Sequence, residues 1–199
     1  MATSATHDRL LTAEEFYALP DDGIPYELVE GRVVPLFVDD DGRPMTGAGA
    51  RHCRVSARLL MAVGAYVDAR GIGAVFGEQL GLRLRRDPDT QRSPDLTYVP
   101  WDRLPDGRLP VGPLTVVPDL VAEVLSPNDR ASDVFRKIRE YLDAGVRIVW
   151  VADPETRVVT TYTPDGVPRV HGEHDALDGG DVLPDLRIPV GPLFAFERP

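Results

Sequence analysis

Cysteine and lysine are almost missing from this sequence: each occurs once in 199 residues, as Cys53 and Lys137. A single cysteine excludes an internal disulfide framework and any zinc site built on cysteines. A single lysine outside a glycine-rich segment excludes a phosphate-cradling lysine loop. No apolar run reaches the length of a bilayer crossing, so no transmembrane helix and no membrane partner are expected. The polar segment Met1 to Leu10 lacks the apolar core of a secretion signal, and the expected location is therefore cytoplasmic. Positive charge is short as well: 22 bases against 32 acids give a formal net charge of −10. Such a balance argues against a sequence-independent DNA coat, which runs on basic charge. Internal repeats and low-complexity segments are absent too.

What is present is an ordinary globular composition, 43% hydrophobic, in a chain of one-domain length that can bury a sizeable core. Of the 22 bases, 21 are arginine. An arginine-rich background makes each arginine uninformative and singles out the lone lysine, for which residual mutation noise is the plain alternative. A guanidinium stays charged and serves poorly in proton transfer, whereas an ammonium can shift its pKa and act at short range.

The pattern along the chain alternates between helical and extended periods. Thr12-Ala-Glu-Glu15 is a capping box, predicting a short helix toward Leu19. Tyr26–Val29 and Arg32–Leu36 flank Glu30-Gly31, a tight-hairpin signal. Asp39 to Gly49 is rich in turn residues. Val55, Leu59, Ala62, Val63, Tyr66 and Val67 fall at helical spacing within 51–69, and Gly71 closes that helix. Ala74–Phe76, Leu80–Leu84 and Asp95–Val99 read as three successive strands, followed by a Pro- and Gly-rich loop over 101–118. Asp119–Leu125 is a nearly continuous apolar run, as in a strand covered on both faces. Ser126–Asp129 leads into a helix over 131–143 ended by Gly145. Val146–Ala152 is a second buried strand, Arg157–Thr163 another, and the tail carries weak strands. The fold expected is a mixed α+β sheet with helices packed on it, after an N-terminal helix and hairpin.

Acids among apolar residues mark where chemistry would lie. Asp95 opens a strand directly after Pro94. Glu123 sits inside Leu-Val-Ala-Glu-Val-Leu, where an unpartnered carboxylate would cost several kcal/mol, about 2–7 even for a neutral polar group. It therefore needs a cation, a metal or an exposed sheet end, a salt bridge to an arginine being the plain alternative. On the next helix Asp133, Lys137 and Tyr141 form one four-spaced ridge, and Val134, Ile138 and Leu142 form the adjacent ridge expected to face the sheet. Lys137 then stands at the edge of the buried face, its head directed toward the strand of Glu123. The plain reading of Lys137 is a surface pair with Asp133. The chemical reading is hydrolytic: Asp95 and Glu123 are hard oxygen ligands for Mg²⁺, and Lys137 orients water or stabilises charge on a phosphate.

Ser93-Pro94-Asp95, Glu123-Val-Leu125 and Lys137 resemble the PD-(D/E)XK nuclease signature in its migrated-lysine form, with Leu125 in the usual lysine slot. More narrowly, Tyr26-Glu-Leu-Val-Glu-Gly31, His52, Pro94-Asp95, Asp119 to Pro127, Asp133, Lys137, Tyr141 and Gly145 to Asp153 with Trp150 resemble the Uma-two family of restriction endonucleases, over about Leu11 to Tyr162. The resemblance implies a restriction-endonuclease-like fold, commonly dimeric. It implies a DNA phosphodiesterase with Mg²⁺, or Mn²⁺, held by Asp95 and Glu123, and with Lys137 completing the catalytic set. Glu27 and His52 match auxiliary family positions; taken alone, each reads as a surface residue. The domain expectation is a flexible segment 1–10 and one nuclease-like domain over 11–199, with its core about 72–163.

Other constellations carry less. Cys53 adjoins His52, but helix neighbours point about 100° apart and cannot form a nucleophile–base pair with each other. His171-Gly-Glu-His174 lies in a Gly/Asp-rich stretch and reads as a solvated loop. Ser126 lacks a Gly-x-Ser-x-Gly elbow. Arg83, Arg85, Arg86 and Arg92 form a local basic cluster, open to a phosphate backbone or to a solvated strand edge. The alternative function is a non-catalytic binding or regulatory protein on the same fold, which the −10 charge favours and the acid–acid–lysine set opposes.

Overall fold

The computed structural model describes residues 9–77, 80–111 and 114–197. The expectation of a flexible N-terminus lies mostly outside these residues. Thr12 caps helix α1 (Ala13–Tyr17): its hydroxyl accepts from the Glu15 N–H at 3.2 Å, and the Glu15 carboxylate accepts from the Thr12 N–H at 3.0 Å. Strands β1 (Tyr26–Val29) and β2 (Arg32–Pro35) form the expected hairpin. Glu30 and Gly31 both take positive φ, 51° and 75°, the twist that a two-residue hairpin turn requires. Helix α2 (Ala50–Arg70) ends on Gly71 in the left-handed conformation.

Strand β3 (Gly73–Phe76) comes next, then β4 (Leu82–Arg85), β5 (Thr90–Arg92) and β6 (Leu96–Pro100). Strand β7 (Leu120–Val124), helix α3 (Ala131–Ala144) and strand β8 (Ile148–Asp153) make one crossover unit, with β7 and β8 parallel. The chain then adds β9 (Val158–Tyr162), β10 (Arg169–His171), β11 (Ala176–Gly179), β12 (Leu183–Pro189) and the one-turn α4 (Val190–Leu193).

The predicted run of three strands is corrected in two respects. Three strands become four, because Thr-Gln-Arg forms β5, too short and polar to show a period. They also divide between sheets: β3 and β6 join a six-stranded sheet of order β10-β9-β8-β7-β6-β3, whereas β4 and β5 join the hairpin in a four-stranded sheet of order β2-β1-β5-β4. A β11-β12 pair stands apart.

Period-two alternation sorts the core of the large sheet. Leu120, Ala122 and Val124 of β7 pack with Leu96, Tyr98, Trp150 and the α2 residues Val55, Leu59, Val63 and Val67. Val121 faces the other way, among Val99, Val149, Val151 and the α3 residues Ile138 and Tyr141. Glu123, two residues after Val121, shares that second face. The ridge reading of α3 needs adjustment here: Ile138 is buried as expected, but its companions are Tyr141 and only partly Val134 and Leu142. No described helix is long and apolar enough to cross a membrane.

Candidate active site

Antiparallel register brings the two acids together. Leu96 stands opposite Ala122, so one step further places Asp95 across from Glu123 at the end of the β6–β7 ladder. Asp95 Oδ2 accepts from the Val124 N–H at 2.6 Å and lies 3.4 Å from His52 Nε2. His52, in the first turn of α2, is buried with Asp95, and its ring meets Phe37 edge-on at 5.7 Å.

Lys137 comes in from α3. Its Nζ lies 3.3 Å from Glu123 Oε2 and 3.2 Å from Glu27 Oε1. The surface pair with Asp133 is not formed; Asp133 is taken by Arg136 at 2.8 Å. One turn further along, the Tyr141 hydroxyl donates to Glu123 Oε1 at 2.5 Å. The partners that Glu123 needed are thus a lysine and a tyrosine, not an arginine. The structure brings together all five residues singled out from the sequence: Asp95, Glu123, Lys137, Glu27 and His52.

Glu27 is the larger surprise, because an acid in a hairpin ordinarily faces water. Here it is 3% exposed. Its Oε1 accepts from the Ser93 N–H at 3.0 Å, and its Oε2 accepts from Arg92 Nη1 at 2.7 Å. Arg92 is equally buried and also reaches Glu140 on α3 at 2.7 Å. The basic cluster read from the sequence is therefore corrected. Arg92 is an interior ion-pair partner, Arg83 pairs with Glu14, and Arg85 pairs with Glu30. Sequence reasoning missed Arg92 and Glu140 as neighbours of the site. The ridge shared by Lys137 and Tyr141 was the signal for Tyr141.

Electrostatics follow from this crowding. Burial pushes the Glu123 carboxyl up to about 7; Asp95 and Glu27 push the same way, and Lys137 and Tyr141 oppose them. Burial also acts upward on Glu27, but Lys137, Arg92 and the Ser93 N–H outweigh it and hold this carboxyl below its usual range. Burial acts against the Lys137 charge, yet Glu123 and Glu27 prevail and keep the ammonium protonated. Burial, with the charges of Glu123 and Glu27, raises the Tyr141 phenol far above its usual value, so it stays a hydrogen-bond donor.

The donor chemistry suits a hard divalent cation. Among the described residues, Glu27, Glu123 and Glu140 are paired with Arg92 and Lys137, and Asp95 lies beside His52. Asp95 and Glu123 are the two carboxylates that meet at the end of the β6–β7 ladder. Among the described residues no cluster of three or more His, Cys, Asp or Glu is placed to hold a metal. A two-carboxylate site fits Mg²⁺, which keeps several waters and is commonly held by one or two carboxylates and substrate phosphate. The His171–His174 stretch, expected to be a solvated loop, begins in a strand instead: His171 ends β10, with Nε2 3.1 Å from Thr161 Oγ1.

Beside the site opens a cleft of about 590 Å³, lined by Phe37, Val38, Asp39, Met45, Asn128 and Asp129 among others. Asp129 is close enough for Lys137, His52 and Asp95 to act on its charge. One consequence of the buried geometry is testable without substrate. Tyr141→Phe leaves Glu123 Oε1 without its donor, and a stability loss of about 1–3 kcal/mol is expected from thermal melting. A loss near zero would mean that water replaces the phenol.

Comparison with known proteins bears on the fold and the family. No curated protein matches the chain. A "putative nuclease belonging to DUF820" from Anabaena variabilis shares the fold, with a TM-score of 0.76 at 24% identity, over 92% of this chain and 97% of that one. The model of the Uma2 family, described as "putative restriction endonuclease", matches residues 13–191. That span runs from α1 to α4 and holds every residue of the acid–lysine cluster, so the chain belongs to the Uma2 family.

Proposed function

We propose that this protein is a metal-dependent endonuclease that hydrolyses DNA phosphodiester bonds and works as a homodimer. One observation carries the reading: Asp95, Glu123 and Lys137 come from β6's entry, β7 and α3 and converge at one end of the sheet. Asp95 and Glu123 would hold Mg²⁺ or Mn²⁺. When bound, such a cation supplies Lewis-acid stabilisation of a phosphoryl oxygen. Lys137 orients the attacking water or stabilises charge on the phosphate. His52 holds Asp95 from the α2 side, and Tyr141 fixes the second oxygen of Glu123.

The test begins with metal binding. Mg²⁺ or Mn²⁺ should raise the melting temperature of the parent by mass action on the folded state. The double substitution Asp95→Asn, Glu123→Gln should abolish that rise together with cleavage of supercoiled, linear or single-stranded DNA. A double amide that responds to metal like the parent would remove both residues as ligands. Light scattering tests the dimer.

A specific observation favours a second reading. The formal charge is −10, the cleft lip carries Asp39, Asp40 and Asp41, and Arg83, Arg85 and Arg92 are engaged in ion pairs. Such a surface suits a non-catalytic binding module. Absence of cleavage of any nucleic acid with any divalent metal would put this reading first.

A further inference from the structure

An alternating chain of buried and half-buried charges runs behind the site. It begins at Glu140 on α3, passes to Arg92 on β5 at 2.7 Å and to Glu27 on β1 at 2.7 Å, then to Lys137 at 3.2 Å and Glu123 at 3.3 Å. The signs read minus, plus, minus, plus, minus. Three elements supply the first four members, and two of these elements belong to the small sheet rather than the large one.

Each member has a defined task in that chain. Both Glu27 oxygens are consumed: Oε1 by the Ser93 N–H and the ammonium, Oε2 by Arg92. Glu27 is thus paired with two cations, Arg92 and Lys137, whereas Glu123 is paired with one, Lys137. Arg92 presents two faces of its planar fork, Nη1 to Glu27 and Nε to Glu140, a geometry that a lysine head cannot copy. A lysine side chain is flexible and its head is a compact point charge. Held by Glu27 on one side and Glu123 on the other, that head is fixed before substrate arrives.

We propose that Glu27, Arg92 and Glu140 are positioning residues that immobilise the Lys137 ammonium beside Glu123, and that Glu27 takes no part in metal binding. This rests on the reading of Lys137 as a group of the reacting site. The small sheet thereby acquires a role in the chemistry of the large one: β1 and β5 carry the anchor for a side chain on α3.

The sequence offers an unusually clean probe, because Lys137 is the only lysine. Untagged protein labelled with ¹⁵N at lysine Nζ gives one ammonium resonance. The parent should show a single protected signal. Glu27→Gln, nearly isosteric, should lose that protection, keep the parent's Mg²⁺- or Mn²⁺-induced melting shift, and slow single-turnover cleavage about 10–100-fold, the usual cost of an outer-shell partner. The half-saturating DNA concentration should stay within about twofold, as expected of a residue that acts only through Lys137. Glu140→Gln, at a position one-fifth exposed, should fold even if Glu27→Gln does not, and should shift the signal in the same direction by less. An ammonium signal unchanged in the folded variants would overturn the proposal. So would loss of the metal response in Glu27→Gln, which would make Glu27 a ligand. A parent that cuts no nucleic acid would defeat the endonuclease reading, and the ammonium signal would still decide the positioning chain.

Discussion

Lys137→Arg is expected to fold like the parent and to lose about 10²–10³-fold in cleavage rate, the usual cost of one positioned electrostatic group. Arginine keeps the charge and has a helix propensity close to that of lysine. A pair held for stability alone would barely notice the exchange, since arginine can meet Glu27 or Glu123 as well. The catalytic reading predicts otherwise. The ammonium occupies a slot between two carboxylates, at 3.2 and 3.3 Å, with its side chain one-fifth exposed. A planar guanidinium is larger, spreads its charge over three nitrogens, and exchanges no proton with an attacking water. Single-turnover cleavage is the measurement, with circular dichroism and the metal-induced melting shift as controls. Parent-like cleavage by the arginine variant would end the catalytic role of Lys137.

Arg92→Met should produce the largest loss of stability. The guanidinium is 3% exposed and serves Glu27 and Glu140 together. Methionine fills much of the same volume, so the cost is electrostatic rather than a cavity. Removing one partner of a buried ion pair leaves its counter-charge uncompensated, at about 3–5 kcal/mol. For a chain of this size that corresponds to a fall of about 6–20 °C in melting temperature. Adding Glu27→Gln to Arg92→Met should recover part of the loss, because the orphaned charge goes too. A melting temperature within about 2 °C of the parent would show that water reaches Arg92 and screens the pair.

These two residues also divide what was legible in the chain from what was not. Lys137 was visible through scarcity and spacing: one lysine, two helical turns from a well-marked start, after a strand that carries an acid it does not otherwise need. Asp95 and Glu123 were visible as acids set among apolar residues. Their meeting was set by the antiparallel β6–β7 pairing, which puts Leu96 opposite Ala122 and which neither strand announces by itself. Glu27 and His52 were different. By residue type and local pattern both read as surface positions, and only their likeness to family positions put them near the site. Their burial at 3% and 4% comes from contacts across the fold. The basic cluster at Arg83 to Arg92 was misleading for the same reason, since its members are matched with acids far away in sequence, 65 residues away in the case of Arg92 and Glu27.

Local structure was legible along the chain: the capped first helix, the Glu30-Gly31 hairpin, the long helix ended by Gly71, and the buried β7–α3–β8 unit. Those features depend on short-range terms such as capping, positive φ at a turn, and hydrophobic period, all written within a few residues of each other. The same local pattern marked Asp95, Glu123 and Lys137 as candidates for chemistry, because burying a charge inside an apolar run is too costly to leave without purpose or partner. Contacts between distant segments set the rest: four strands rather than three lie between α2 and β7, β4 and β5 belong to a second sheet, and Arg92 turns inward. Thr-Gln-Arg has no hydrophobic period to announce a strand. An ion pair draws its energy from two groups and from the medium between them, and none of these is local to either residue.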